Sequence, residues 1–178
     1  SGSFDTFYHL TKEDSTSSKN KKISKERFFH KADKIDIGRS FPLSLFEGIS
    51  KLPNVELISL HKGEGEKQIQ EIKFNLTTLG SNFDAGQDAF LDTSAVIENC
   101  DLVITSDTAV AHLAGSLGCT TWLILKYIPD WRWMLNRIDS PWYPTLTLYR
   151  QKKLGDWASV FDATNRDLNF NILKRKIT

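Results

Sequence analysis

The chain has 178 residues and a mass of 20.3 kDa, enough for one good core and short for two. A chain this long can bury roughly 70% of its unfolded surface, so it needs no disulfide or metal to hold it. With 40% hydrophobic and 25% charged residues and 23 Lys+Arg against 22 Asp+Glu, it reads as ordinary globular material. That balance excludes a nucleic-acid binder that uses its whole surface, though a local basic groove stays open.

In chain order, the first predicted element is a strand over residues 4–10, F-D-T-F-Y-H-L, rich in aromatic and β-favouring types. The Ser/Lys-rich stretch over 11–34 has the composition of a mobile loop, with a short structured piece around Phe28 and Phe29. From Pro42 the pattern turns helical, with Leu43, Phe46, Ile49 and Leu52 at a spacing of three. Residues 55–60 predict a second strand, 63–72 a loop with a short helix, and 74–79 a third strand. Asp92 is the expected N-cap of a helix carrying Ala95, Val96 and Cys100.

The run Leu102-Val103-Ile104-Thr105 is of the type found in buried parallel strands. A helix over 109–117 follows, with Val110, Leu113, Ala114 and Leu117 on one face and Gly118 as its C-terminal cap. Residues 121–125 and 146–149 predict the fifth and sixth strands. A last helix begins near Gly155-Asp156 and carries Trp157, Val160, Phe161, Thr164 and Leu168 at helical spacing.

Strands alternating with helices predict a doubly wound, mostly parallel, Rossmann-like α/β sheet with right-handed crossovers. The chain divides into residues 1–30 (a cloning remnant at Ser1-Gly2-Ser3, the first strand and the loop) and a nucleotide-binding domain over 31–178. No internal repeat is present. With strand order 3-2-1-4-5-6, the ligand crevice lies between strands one and four, at their carboxyl ends. The loops predicted to meet there are the basic stretch after Leu10 and the turn Ser106-Asp107-Thr108.

That turn joins a buried strand to a helix N-terminus, where backbone N–H groups and the helix dipole favour a phosphate. Thr108 can add a hydroxyl donor, and His112 lies one turn on, able to face the same anion or a sugar hydroxyl. Asp107 would repel a phosphate if it pointed inward, so its expected role is to cap the helix or bind sugar hydroxyls. A plain capped turn with a core histidine fits the same residues. Lys31, Lys34 and Arg39 can neutralise a pyrophosphate or simply face water, and Arg39, just before the helix opening, is the best placed. Lys62-Gly63-Glu64-Gly65 resembles the start of a dinucleotide fingerprint. Gln68 stands where the third small residue belongs, however, and the motif follows the wrong strand.

Three of the five tryptophans crowd into 131–142, either as a platform for a ring or as pins for a long crossover. Walker, nucleophile-elbow, zincin and EF-hand patterns are absent. Cys100 and Cys119 have no C-x-x-C partner, which argues against a zinc site or a disulfide framework. No run of about 18 apolar residues predicts a membrane span. No leader pattern follows Ser3, so a cytoplasmic setting is expected.

The strings D-L-V-I-T-S-D-T-A-V-A-H-L-A-G, P-D-W-R-W-M, D-S-P-W-Y-P, Y-R-Q and G-D-W together resemble the C-terminal half of heptosyltransferase-like glycosyltransferases. The likeness is strongest to bacterial ones that carry tetratricopeptide repeats upstream, and it runs from about Lys31 to about Val160. It implies one half of a GT-B fold, holding a nucleoside diphosphate sugar for inverting, metal-independent transfer to a saccharide, lipid or protein hydroxyl, with no cofactor. It further implies that Asp107, Thr108, Ala109 and His112 meet the donor's diphosphate and sugar. Arg39 falls near a basic phosphate contact, Lys62 in the loop after strand two, and Asp92 near a ribose contact. Before Lys31 the family's first strand and glycine turn are poorly matched. The N-terminal half-domain, expected to bring the acceptor and the general base, is not in this sequence, so the fragment alone is expected to be inactive. The alternative is a non-catalytic partner- or glycan-binding module of the same descent.

Overall fold

A computed structural model describes the backbone of 6–9 and residues 38–61, 66–86, 88 and 90–175. Six strands form one sheet in the order β3-β2-β1-β4-β5-β6. They are β1 (Thr6–His9), β2 (Glu56–Ser59), β3 (Thr77–Thr78), β4 (Leu102–Ser106), β5 (Thr121–Leu125) and β6 (Leu146–Arg150). The order is the one expected, and the pairs β2–β3, β4–β5 and β5–β6 are parallel. The loop expected over 11–34 lies outside the described residues.

One direction corrects the sequence reading. β1 is antiparallel to both neighbours, with Thr6 opposite Ser59 and Ile104 and Tyr8 opposite Leu57 and Leu102. Antiparallel neighbours finish at opposite edges of a sheet. The chain therefore leaves β1 at the amino ends of β2 and β4, the edge opposite the turn after Ser106, and not at the carboxyl edge where the sequence reading places its exit. Alternation of strands and helices does not report strand direction, because an aromatic strand reads alike both ways.

The predicted helices form α1 (Glu47–Ser50), α2 (Leu91–Glu98), α3 (Ala109–Ser116) and α4 (Trp157–Arg175). Leu43–Phe46 ahead of α1 is a 3-10 turn, and this explains the spacing of three. Three residues per turn stack Leu43, Phe46 and Ile49 on one line, and all three are fully buried. The N-cap assignment of Asp92 is corrected as well. α2 starts at Leu91 after Phe90 in left-handed conformation (φ 71°), which places Asp92 second in the helix. The cap comes from Asp84, whose carboxylate accepts from the N–H groups of Asp92 and Thr93 and from the Thr93 hydroxyl. Asp92 answers by accepting from Asp84 N–H at 2.9 Å. Capping by a residue eight positions upstream leaves no local motif to read. Leu117, expected on the apolar face of α3, is exposed and follows the helix as its C-cap, with Gly118 beyond it at φ 72°.

β4 and β5 are buried along their whole length, so alternate side chains feed two cores. Leu102, Ile104, Trp122 and Ile124 face Phe41, Phe46 and the α4 residues Val160, Phe161 and Leu168. On the other side, Val103 packs with Val110 and Ala114, and Leu123 and Leu125 pack with Ala111 and Trp133. Helices on both faces of a largely parallel sheet make this a Rossmann-like α/β fold. No helix among the described residues is long and apolar enough to cross a membrane.

Two half-buried acids set an alkaline limit. The Cys100 thiol is pushed up to about 11, first by burial and then by Asp101 and Cys119. Burial, followed by its hydrogen bond to Asp167 at 2.9 Å, raises the Tyr149 phenol well above its ordinary value. Below about pH 8.5 the thiol is protonated whether the chain is folded or not, so it adds no pH dependence there. Above that, the unfolded chain ionises first and stability falls as pH rises. Thermal melts should therefore decline between about pH 8.5 and 11, and Cys100→Ala should flatten the lower part of that decline. Equal slopes with and without the thiol would show that Cys100 is not desolvated.

Candidate nucleotide-binding site

The carboxyl edge of β4 gathers five of the sequence-predicted residues, Arg39, Asp107, Thr108, Ala109 and His112, around the start of one helix. β4 ends at Ser106, the chain turns through Asp107, and Thr108 takes an extended conformation (φ −128°, ψ 175°) as the N-cap of α3. Its hydroxyl does not cap the helix. It lies 3.2 Å from the Thr105 hydroxyl, and Thr105 in turn donates to Ser106 O at 3.1 Å. Asp107 is not the cap either. The turn closes through Thr108 N–H to Ser106 O at 2.8 Å and Ala111 N–H to Thr108 O at 3.1 Å. The N–H groups of Ala109 and Val110 open the helix, where no preceding turn supplies a carbonyl.

Arg39 reaches this turn from the other core. Its Nη1 donates to Asp107 O at 2.9 Å across 68 residues of sequence. Gly38 ahead of it has φ 72°, and a side chain there would meet the Lys126 stem at 4.0 Å. Lys126 follows β5 directly, so Arg39 and Lys126 both belong to the carboxyl edge that holds the α3 N-terminus. Sequence reasoning passed over Lys126. The available signal was its position, one residue past the end of an apolar strand.

His112 stands one turn into α3, and its surroundings are the second feature that the sequence hid. The imidazole stacks on Trp133 with centroids 5.3 Å apart and planes 26° apart. Its Nδ1 lies 3.0 Å from the Tyr143 hydroxyl. The Tyr143 ring rests directly on α3, because a β-carbon at Gly115 would stand 2.5 Å from its Cγ. His112 is therefore half-buried and held on two sides, while Trp133 beneath it is fully buried.

Of the two roles considered for the aromatic segment, the structure shows the pinning one. Trp133 is a core residue, whereas Trp131 and Trp142 are 72% and 54% exposed. Arg150 clamps the segment by donating to the carbonyls of Trp133 (3.0 Å), Met134 (2.7 Å) and Arg137 (3.4 Å). Leu148 N–H donates to Ile138 O at 2.8 Å and Asp139 bridges Thr147, so this segment covers the outer edge of β6. Gln151 then ties two loops at the carboxyl edge, its Oε1 accepting from Tyr127 N–H and Gly155 N–H, both at 3.1 Å.

Of the other predicted residues, Lys31, Lys34 and Lys62 lie outside the described residues, as do Gly63 and Gly65. Asp92 is exposed on α2, where its carboxylate is engaged with Asp84. Comparison of the chain with known protein families, with curated proteins and with solved structures finds no match.

Proposed function

We propose that this chain is the donor-binding half of a GT-B glycosyltransferase. It would hold a nucleoside diphosphate sugar while the sugar passes to a hydroxyl of a saccharide, lipid or protein. The observation that carries this reading is the convergence of the α3 N-terminus with Arg39 and His112 at the carboxyl edge of β4. In an open α/β sheet that edge is where ligands bind, and a helix N-terminus flanked by a guanidinium suits a diphosphate. The likeness of the D-T-A-V-A-H-L-A segment to the heptosyltransferase-like family supports the choice of ligand.

In this reading the backbone at Ala109 and Val110, with Arg39 close by, stabilises charge as it develops on the departing diphosphate. His112 and Asp107 sit next to the sugar. An inverting transfer also needs a base on the acceptor hydroxyl, and that group is assigned to the N-terminal half-domain.

A second reading, an interaction module without donor chemistry, is favoured by a different observation. Ile128, Trp131, Ile138 and Trp142 stand 54–77% exposed on one segment. Calorimetry and thermal shift with ADP, UDP, GDP and CDP separate the two. One diphosphate at about 100 times its dissociation constant should stabilise the fold by about 2.7 kcal/mol. His112→Ala and Thr108→Ala should each weaken it about tenfold or less, the scale of one hydrogen bond. A folded protein that none of the four stabilises at millimolar concentration would overturn the donor reading and leave the module.

A further inference from the structure

The contacts of His112 say which of its nitrogens carries the proton. The Tyr143 hydroxyl has one hydrogen-bond partner among the described residues, and it is His112 Nδ1. A phenol is a good donor and a poor acceptor, while the bare nitrogen of a neutral imidazole is a good acceptor. If Nδ1 held the proton, the Tyr143 O–H would be left with no acceptor in a half-buried position, at a cost that the reverse arrangement avoids. The ring has no freedom to evade the choice. Trp133 covers one face of the imidazole, and Tyr143 is seated on the Gly115 backbone with its own N–H directed to Ser140 Oγ at 3.3 Å.

We infer that Tyr143 is a positioning residue that donates to Nδ1 of His112 and so fixes the imidazole as a hydrogen-bond donor through Nε2. Among the described residues Nε2 has no partner, which leaves its N–H for an oxygen of the ligand. The inference deepens the donor-site reading and rests on it for the identity of that oxygen, a phosphate or hydroxyl oxygen of the sugar nucleotide. A base at this position would need the opposite tautomer. His112 therefore binds the donor and does not deprotonate the acceptor.

The tautomer can be read in the whole chain without any ligand. Uniformly 15N-labelled protein is examined by long-range proton–nitrogen correlation about two pH units above the ordinary imidazole value. The expected result is a protonated Nε2, an unprotonated Nδ1 and a slowly exchanging Tyr143 hydroxyl proton coupled to Nδ1. A proton on Nδ1 overturns the inference, whatever nucleotides do. In Tyr143→Phe the hydroxyl signal must vanish and the Nδ1–H form must rise.

Binding of inorganic pyrophosphate, which needs no contact to a base, supplies a second readout. Tyr143→Phe should weaken it about fivefold, one hydrogen bond's worth. His112→Gln keeps a neutral N–H donor with no tautomer to choose, so adding Tyr143→Phe to it should cost nothing more. A loss in the double variant equal to that of Tyr143→Phe alone would mean that Tyr143 acts on the fold and not through His112. Pyrophosphate that fails to bind a protein with the expected tautomer would count against the donor reading and leave the Tyr143–His112 assignment standing.

Discussion

Trp133→Ala should lower stability by about 3–5 kcal/mol, the range for truncating a large buried aromatic, and should disable the candidate site with it. Trp133 is fully buried among Ala111, Leu123, Leu125, Leu146 and Leu148, so its removal opens a cavity bounded by two strands and α3. The packed walls cannot close over that volume without moving the sheet. His112 loses the ring beneath it, and Arg150 is left holding the Trp133 and Met134 carbonyls of a segment with no anchor. Urea unfolding should show a midpoint lower by roughly 1–2 M for a loss of this size. Trp133→Phe is the informative control. It keeps a ring under the imidazole and deletes a buried indole N–H that has no hydrogen-bond partner among the described residues. The phenylalanine variant should therefore recover a large part of the loss. An alanine variant less than about 1 kcal/mol below the parent would mean that Trp133 is not a core residue.

The reach of the sequence can be judged from the same residues. β4, α3 and β5 were legible almost to the residue, because an apolar run, a helical stripe ending at Gly118 and a second apolar run are each set by local periodicity. Arg39 was legible as a candidate from its position ahead of Pro42, and the fold does bring it to Asp107. Other features depend on contacts between distant positions, which leave no pattern of their own. Trp131, Trp133 and Trp142 have the same composition signal, yet only Trp133 is buried. The Asp84 cap of α2, the Arg150 clamp and the Tyr143–His112 pair join residues 8 to 31 positions apart with no repeat spacing. The direction of β1 was beyond periodicity for a simpler reason: a strand's alternation is the same read from either end.

Gly115 supplies the other large prediction, and two principles oppose each other there. It sits in the last turn of α3, where alanine is ordinarily preferred by up to about 1 kcal/mol. The close approach of Tyr143 should reverse that sign. A β-carbon at Gly115 would stand 2.5 Å from Cγ, 2.7 Å from Cδ1 and 3.0 Å from Cβ of Tyr143. These are the stiff root of an aromatic side chain and cannot bend aside as a lysine end could. Overpacking of this kind costs about 1–3 kcal/mol, so Gly115→Ala should be destabilising despite its helix propensity. The displaced ring also leaves His112, so the tautomer signature should fade and pyrophosphate binding should weaken as in Tyr143→Phe. Two comparisons make the cause readable. Gly115→Ala combined with Tyr143→Ala should be more stable than the sum of the single effects, because the second change removes the obstacle. Gly118→Ala should also destabilise, but through its φ of 72°, with nothing among the described residues within 4 Å of the added carbon. Its cost should be indifferent to Tyr143. A Gly115→Ala protein as stable as the parent, or more so, would show that the tyrosine ring does not rest on this helix, and the positioning of His112 would have to come from Trp133 alone.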